Sequence, residues 1–156
     1  LPGYQLGYPG EDEAKTVLIQ AVAIQGAISD MGVRYNMGPY SFGAMQRVLT
    51  PDAVVRSKSG ICIETALLVA SCLQSADMHA MVLILPGHAQ VALETWEGSG
   101  QYILLETTTL PFTGSDVSSY ISTLTNDEWV SYLSDEGTYV IDCNLASTLG
   151  IRGLAV

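Results

Sequence analysis

Residues 62–96 read CIETALLVASCLQSADMHAMVLILPGHAQVALETW, and the period of their apolar residues changes once, close to Asp77. Up to about Ala76 the apolar positions Ala66, Leu67, Val69, Ala70 and Leu73 cover most of a helical surface, so this helix is expected to be buried. Beyond it, HAMVLIL at 79–85 reads as a buried strand, Pro86-Gly87 as a turn, and HAQVALETW at 88–96 as a second strand. EGSG at 97–100 turns the chain into a third strand, QYILLETT at 101–108. A helix followed by an antiparallel meander predicts an α+β fold.

Working outward, the chain before this stretch is mostly helical. Residues 1–10, rich in Gly, Pro and Tyr, read as an irregular arm, and 11–156 as a single domain. Glu11-Asp12-Glu13 suits a helix start, and residues 14, 17, 18, 21, 24 and 28 form one apolar stripe that Gly32 ends. VRYNMGPYS at 33–41 reads as a loop and FGAMQRVL at 42–49 as a short helix. Thr50-Pro51 is an N-cap followed by a first-turn proline, opening another short helix through Arg56. On the far side of the meander, Thr125 and Glu128 form a capping box for a helix through about Leu133, and GTYVIDCNL at 137–145 reads as the last strand.

Composition narrows the function. Of 156 residues, 48% are hydrophobic and 14% charged, enough for a full globular core without staples. The net charge of −10 leaves no basic patch for phosphates, which argues against nucleic acid and anionic membrane surfaces as partners. The longest apolar run, TVLIQAVAIQGAI at 16–28, is broken by Gln20, Gln25 and Gly26, so membrane insertion is not expected. The opening residues lack the basic start and apolar segment of a signal peptide, and without an initiator Met the chain reads as an excised domain or mature form. Low Lys+Arg content and the missing Met, together with the habits of the family named below, point to an extracellular or cell-surface location, with a cytoplasmic one left open. Three cysteines are an odd count. Either Cys72 and Cys143 form a disulfide and leave Cys62 free, or both are ordinary core thiols. With two histidines and no C-x-x-C pair, a structural zinc site is not expected, and the reaction read below implies neither a metal nor an organic cofactor.

Cys62 carries the chemistry. It stands at the first turn of the buried helix, where partly positive backbone N–H groups favour a thiolate. Gly60, two residues earlier, allows close backbone approach by a substrate or a positive φ. The Cys62 N–H is then placed to receive an oxyanion. A thiolate nucleophile needs a base, and the base an orienting acceptor. His88 opens a strand after the Pro86-Gly87 turn, and Glu106 lies near the end of the next. The remaining histidine, His79, reads as structural or exposed. Glu64 reads as a first-turn carboxylate, or as a binder of a substrate amine.

SGICIETALLVASCLQSADMHAMVLILPGHAQVALE at 59–94, followed by YILLETTTL at 102–110, resembles the core of the transglutaminase-like superfamily. The resemblance covers about residues 45–110 and includes the lead-in VLTPDAVVRSKSG. It implies a papain-related α+β core in which N-terminal helices and the nucleophile helix pack on an antiparallel sheet. It also implies Cys62 as nucleophile, His88 as base and Glu106 as the orienting acid. Glu106 stands where the family usually has Asp, and Ala89-Gln90-Val91 where a Trp often follows the His. Gln46 is the favoured second oxyanion donor, because an amide N–H donates well, with Tyr35 and Asn36 as alternatives. Tyr35, Tyr40 and Gly60 are candidates for the substrate cleft.

The triad makes a demand on strand register. If Trp96 paired directly with Gln101, His88 and Glu106 would fall on opposite faces of the sheet. A three- or five-residue loop at Gly98 and Gly100 restores a shared face, so an odd loop is expected. The implied reaction is acyl transfer from a peptide or protein amide through a thioester. Water as acceptor gives hydrolysis and an amine gives transamidation, with hydrolysis favoured by the absence of a recognisable amine-binding module. GICIE at 60–64 is also similar to the Cys-x-Glu of arylamine acetyltransferases, but the chain is short for that family and shows no acetyl-CoA phosphate site. The reading from another class is a catalytically silent domain, part of a larger surface protein, that binds peptide or cell-wall material.

Overall fold

The computed structural model describes residues 12–38, 47–109 and 121–151. The arm at 1–10, Tyr40 and Gln46 lie outside the described residues.

The first helix, α1 (Asp12–Asp30), buries Val17, Ala21, Ile24 and Ile28, the stripe its sequence predicts. It stops at Gly32, whose φ of +84° only glycine adopts readily. A short α2 (Pro51–Ser57) is capped by Thr50, whose side chain accepts from the Ala53 N–H. The helix that begins at Cys62, α3 (Cys62–Ser75), is buried along most of its length. Between these helices, β1 (Arg34–Tyr35) and β2 (Ser59–Gly60) form a two-stranded parallel pair. No sequence period announces a pair that short; it exists because Arg34 and Asn36 N–H groups find the Lys58 and Gly60 carbonyls. Of the helix expected at 42–49, residues 47–49 are not helical and the rest lie outside the described residues.

The main sheet has five strands in the order β6-β5-β4-β3-β7, every neighbouring pair antiparallel. Its centre is the expected meander: β3 (Ala80–Leu85), β4 (His88–Glu94) and β5 (Tyr102–Leu105). Leu85 pairs with His88 across Pro86-Gly87, a φ-locked proline followed by a glycine at φ +78°. Edge strands β6 (Ile121–Leu124) and β7 (Tyr139–Asp142) complete it. The segment expected to be strand through Leu145 divides at Asp142. Its carboxylate accepts from the Leu145 N–H and starts a helix, α5 (Cys143–Thr148).

Alternation along the strands separates two cores. Ala89, Val91, Leu93, Ile103 and Leu105 face α1, α2 and α3. Met81, Leu83, Ala92, Tyr102 and Leu104 face the capped helix α4 (Asn126–Leu133). Trp129 of α4 stacks on Tyr102 at 4.2 Å between ring centroids. The result is an α+β arrangement with helices on both faces of an antiparallel sheet.

Candidate functional site

The β4–β5 ladder pairs Val91 with Leu105 and Glu94 with Tyr102. An odd loop joins the strands, as expected, with Gly98 and Gly100 both at positive φ. Continued to the strand start, this register sets His88 opposite Thr108 and puts Glu106 on the same face. His88 Nε2 and Glu106 Oε2 are 2.9 Å apart. The other carboxylate oxygen, Oε1, accepts from the Thr108 N–H at 3.0 Å and the Thr108 hydroxyl at 2.7 Å. Glu106 is therefore held by both oxygens, and its backbone carbonyl accepts from Gln25 Nε2 of α1. Side chains of His88 and Glu106 are 33% and 28% exposed, open enough to meet a ligand.

Next to this pair, Gln90 donates to the Tyr132 hydroxyl of α4. Burial pushes the Tyr132 phenol up, outweighing the Gln90 hydrogen bond, and the charges of Asp135 and Glu106 add to the rise. Gln90 thus ties the outer face of β4 to α4 at the position where the resemblance expects a Trp.

Cys62 is the first residue of α3, with Ile61 at its N-cap. Its N–H belongs to the helical turn that has no intrahelical partner. Glu64 holds this turn in place. Its Oε2 accepts from the Ile61 N–H at 2.9 Å and its Oε1 from the Leu49 N–H at 2.8 Å. Glu64 is buried, and both oxygens bind backbone, so it anchors the helix start instead of facing a substrate amine. One turn on, Thr65 Oγ1 meets Thr107 Oγ1 at 3.2 Å. This contact joins the thiol's helix to the residue beside Glu106.

The thiol itself packs into the core on the α3 side and is 6% exposed. Alternation sends His88 to the other side of β4, the side of Gln90. Among the described residues no hydrogen bond joins Cys62 Sγ to the imidazole. His88 and Glu106 are brought together, while the Cys62 sulfur sits on the other side of β4. Gly60 is buried, is not at positive φ, and the space of its missing Cβ is filled by Val54, Glu64 and Thr65 at 3.1–3.3 Å. Close packing of α2 on α3 accounts for this glycine. Tyr35 is half-buried against the α3 core. All three cysteines are free, so Cys72 and Cys143 are core thiols here.

A second polar cluster lies at the opposite end of β4. His79 Nδ1 is 2.9 Å from Glu94 Oε2, and Nε2 is 2.9 Å from Asp142 Oδ2. Glu94 Oε1 accepts from the Gly100 N–H. The cluster borders a cavity of about 860 Å³ whose walls include Gln74, Asp77, Glu97 and Ser147. A signal for this cluster existed in the sequence. A two-residue turn at Pro86-Gly87 pairs 85 with 88, and counting back sets His79 against Glu94. Among the described residues, no three His, Cys, Asp or Glu side chains are arranged to hold a metal ion, and no helix is long and apolar enough to cross a membrane.

No family model, curated protein or solved structure matches the chain.

Proposed function

We propose that the chain catalyses thiol-dependent acyl transfer on an amide, as its resemblance to the transglutaminase-like superfamily implies. The observation that carries this reading is the His88–Glu106 pair at 2.9 Å. An imidazole held through Nε2 by a braced carboxylate presents Nδ1 as the base, and Cys62 is the first residue of helix α3. Nδ1 would take the Cys62 proton, and the sulfur would attack the amide carbonyl carbon while the Cys62 N–H receives the oxyanion. Collapse breaks the C–N bond, and the imidazolium returns the proton to the leaving amine. Water or a second amine then attacks the thioester with His88 as base, releasing an acid or a new amide and the free thiol. The Cys62 thiol lies on the α3 side of the sheet and His88 on the other face of β4, so this reading requires the start of α3 to rearrange and bring the sulfur to the imidazole when substrate binds. The substrate is a peptide or protein amide, hydrolysis is favoured over transamidation, and the location is extracellular or at the cell surface.

The closed-in sulfur, with no hydrogen bond to the imidazole, favours a second reading. In that reading the domain is catalytically silent and uses the His88–Glu106 end of the sheet to bind peptide or cell-wall material.

The test is the alkylation rate of Cys62 by iodoacetamide against pH, read by mass spectrometry on the native protein and on His88→Ala. Reaction well below pH 8 that disappears in the variant supports catalysis. A thiol that titrates ordinarily, or reacts only after unfolding, supports the silent module.

A further inference from the structure

We propose that His79, bridging Glu94 and Asp142, is a proton-operated clamp that fastens α5 to the sheet at low pH and releases it as the pH rises. The geometry sets its protonation state. Both ring nitrogens lie 2.9 Å from a carboxylate oxygen, and an ionised carboxylate can only accept. Both nitrogens must therefore donate, which only the imidazolium does. Once neutral, the ring turns a lone pair toward one of the two carboxylates and that contact becomes repulsive.

The carboxylates come from different elements. Glu94 ends β4 and is almost fully buried. Asp142 ends β7 and caps α5, accepting from the Leu145 N–H through its other oxygen. Losing the proton thus acts on the corner where β7 turns into α5. Gln74 Nε2, donating to the Cys143 carbonyl at 2.9 Å, is a further tie from α3 to that corner. Leu145, Leu149 and Ile151 are all more than half exposed, so hydrophobic burial holds this end weakly.

The charges that favour the charged ring are those of Glu94 and Asp142. Asp77 before β3 and Glu97 after β4 line the same cavity, Tyr102 of β5 faces Glu94, and Cys143 follows Asp142. Burial alone lowers the His79 pKa. Hydrogen bonds the ring makes to both carboxylates, and their charges, outweigh it and hold the group above its ordinary value. A histidine raised in the folded state contributes its full stability below about pH 6.5, its unfolded value, and loses it as the pH climbs through the folded value.

Two measurements on the whole chain test the clamp. The first is a ¹H–¹⁵N spectrum of the imidazoles across pH 5–9, with His88→Gln used to assign His79. Both His79 nitrogens should carry protons at pH 6.5, and the ring should titrate above the ordinary histidine value. The second is hydrogen exchange of the α5 amides, corrected for intrinsic rate, in the native protein and in Asp142→Asn. Asparagine still caps α5 but removes one charge from the clamp. In the native protein α5 protection should fall with rising pH, by up to about tenfold for each unit by which the folded pKa exceeds the unfolded one. In Asp142→Asn the fall should begin at lower pH. A neutral His79 at pH 6.5, α5 protection independent of pH, or an unchanged profile in the variant would each overturn the clamp.

Discussion

Thr65 of α3 and Thr107, just beyond β5, share a fully buried hydrogen bond at 3.2 Å. It is the direct tie between the helix that carries the thiol and the strand end that carries the acid. The Thr65 hydroxyl also reaches the Ile61 and Cys62 carbonyls at 3.2 and 3.1 Å. With its proton spent on backbone, it must accept from Thr107. Thr107→Val keeps the shape but strands that acceptor. The expected cost is about 1–2 kcal/mol, seen as a fall of about 3–6 °C in Tm. A thermal melt by circular dichroism checks it; an unchanged Tm means the bond is not what joins the two elements.

Glu64→Ala should cost more. It removes the acceptor for two backbone N–H groups, those of Leu49 and Ile61, at a buried position. The expected loss is about 2–4 kcal/mol in urea unfolding. Glu64→Gln should fall between the variant and the native protein, since the amide keeps one acceptor and turns an NH₂ group toward the second N–H. Equal stability of Glu64→Gln and the native protein would contradict the two-sided anchor.

The length of Glu106 follows from the register. His88 is opposite Thr108, so the acid sits two residues away on the diagonal, where neighbours are roughly 7–8 Å apart and their Cβ atoms somewhat closer. Glutamate spans that gap while leaving its second oxygen on Thr108. Glu106→Asp is one methylene short and cannot hold both contacts. On the acyl-transfer reading, acylation of Cys62 by an activated ester should drop about 10²-fold, the usual penalty for misplacing a catalytic group by about 1 Å. An aspartate variant that acylates at the native rate would remove the acid from the mechanism.

Trp129 anchors the helix on the outer face of the sheet. It is 5% exposed and stacks on both Tyr102 and Tyr132. Trp129→Ala should destabilise the protein by about 3–5 kcal/mol and abolish most near-ultraviolet dichroism. Because Tyr132 also meets Gln90, the loss should spread to the His88 end of β4 as faster amide exchange there.

The parts of this fold legible in the sequence are those whose signal is local. α3 shows in its apolar surface, the β3–β4 turn in Pro86-Gly87, α4 in the Thr125–Glu128 capping box, and the odd β4–β5 loop in its glycines. What stayed hidden depends on distant partners. β1 and β2 have two residues each and exist only because the chain returns to the same place. β6 is an edge strand whose ISTL lacks alternation. α5 was hidden because YVID reads as strand straight into Cys143, although Asp142 three residues before Leu145 is itself a cap signal. In the site, the register brings His88 to Glu106, as the resemblance requires. The face on which Cys62 packs could not be read, because a helix alone does not reveal which side of a sheet it covers. His79 read as an ordinary histidine because Asp142, one of its two partners, is 63 residues away.

The three free thiols should separate cleanly in the alkylation experiment. Burial pushes the Cys143 thiol up to about 11, with the Asp142 charge adding to it. Burial raises Cys72 as well. The thiolate is the reacting form, so a raised pKa slows alkylation. At pH 8 a thiol near 11 is ionised to roughly one part in a thousand, against about a quarter for an ordinary thiol near 8.5. Cys143 should react on the order of 10²-fold more slowly than an exposed cysteine, and Cys72 should also lag. Tryptic mapping after a short pulse at pH 8 measures all three at once. If Cys62 alone gains mass at pH 8, burial of the other two thiols accounts for it, and activation shows only as reaction that persists well below pH 8; if Cys143 reacts first, the α5 corner opens more readily than its contacts imply.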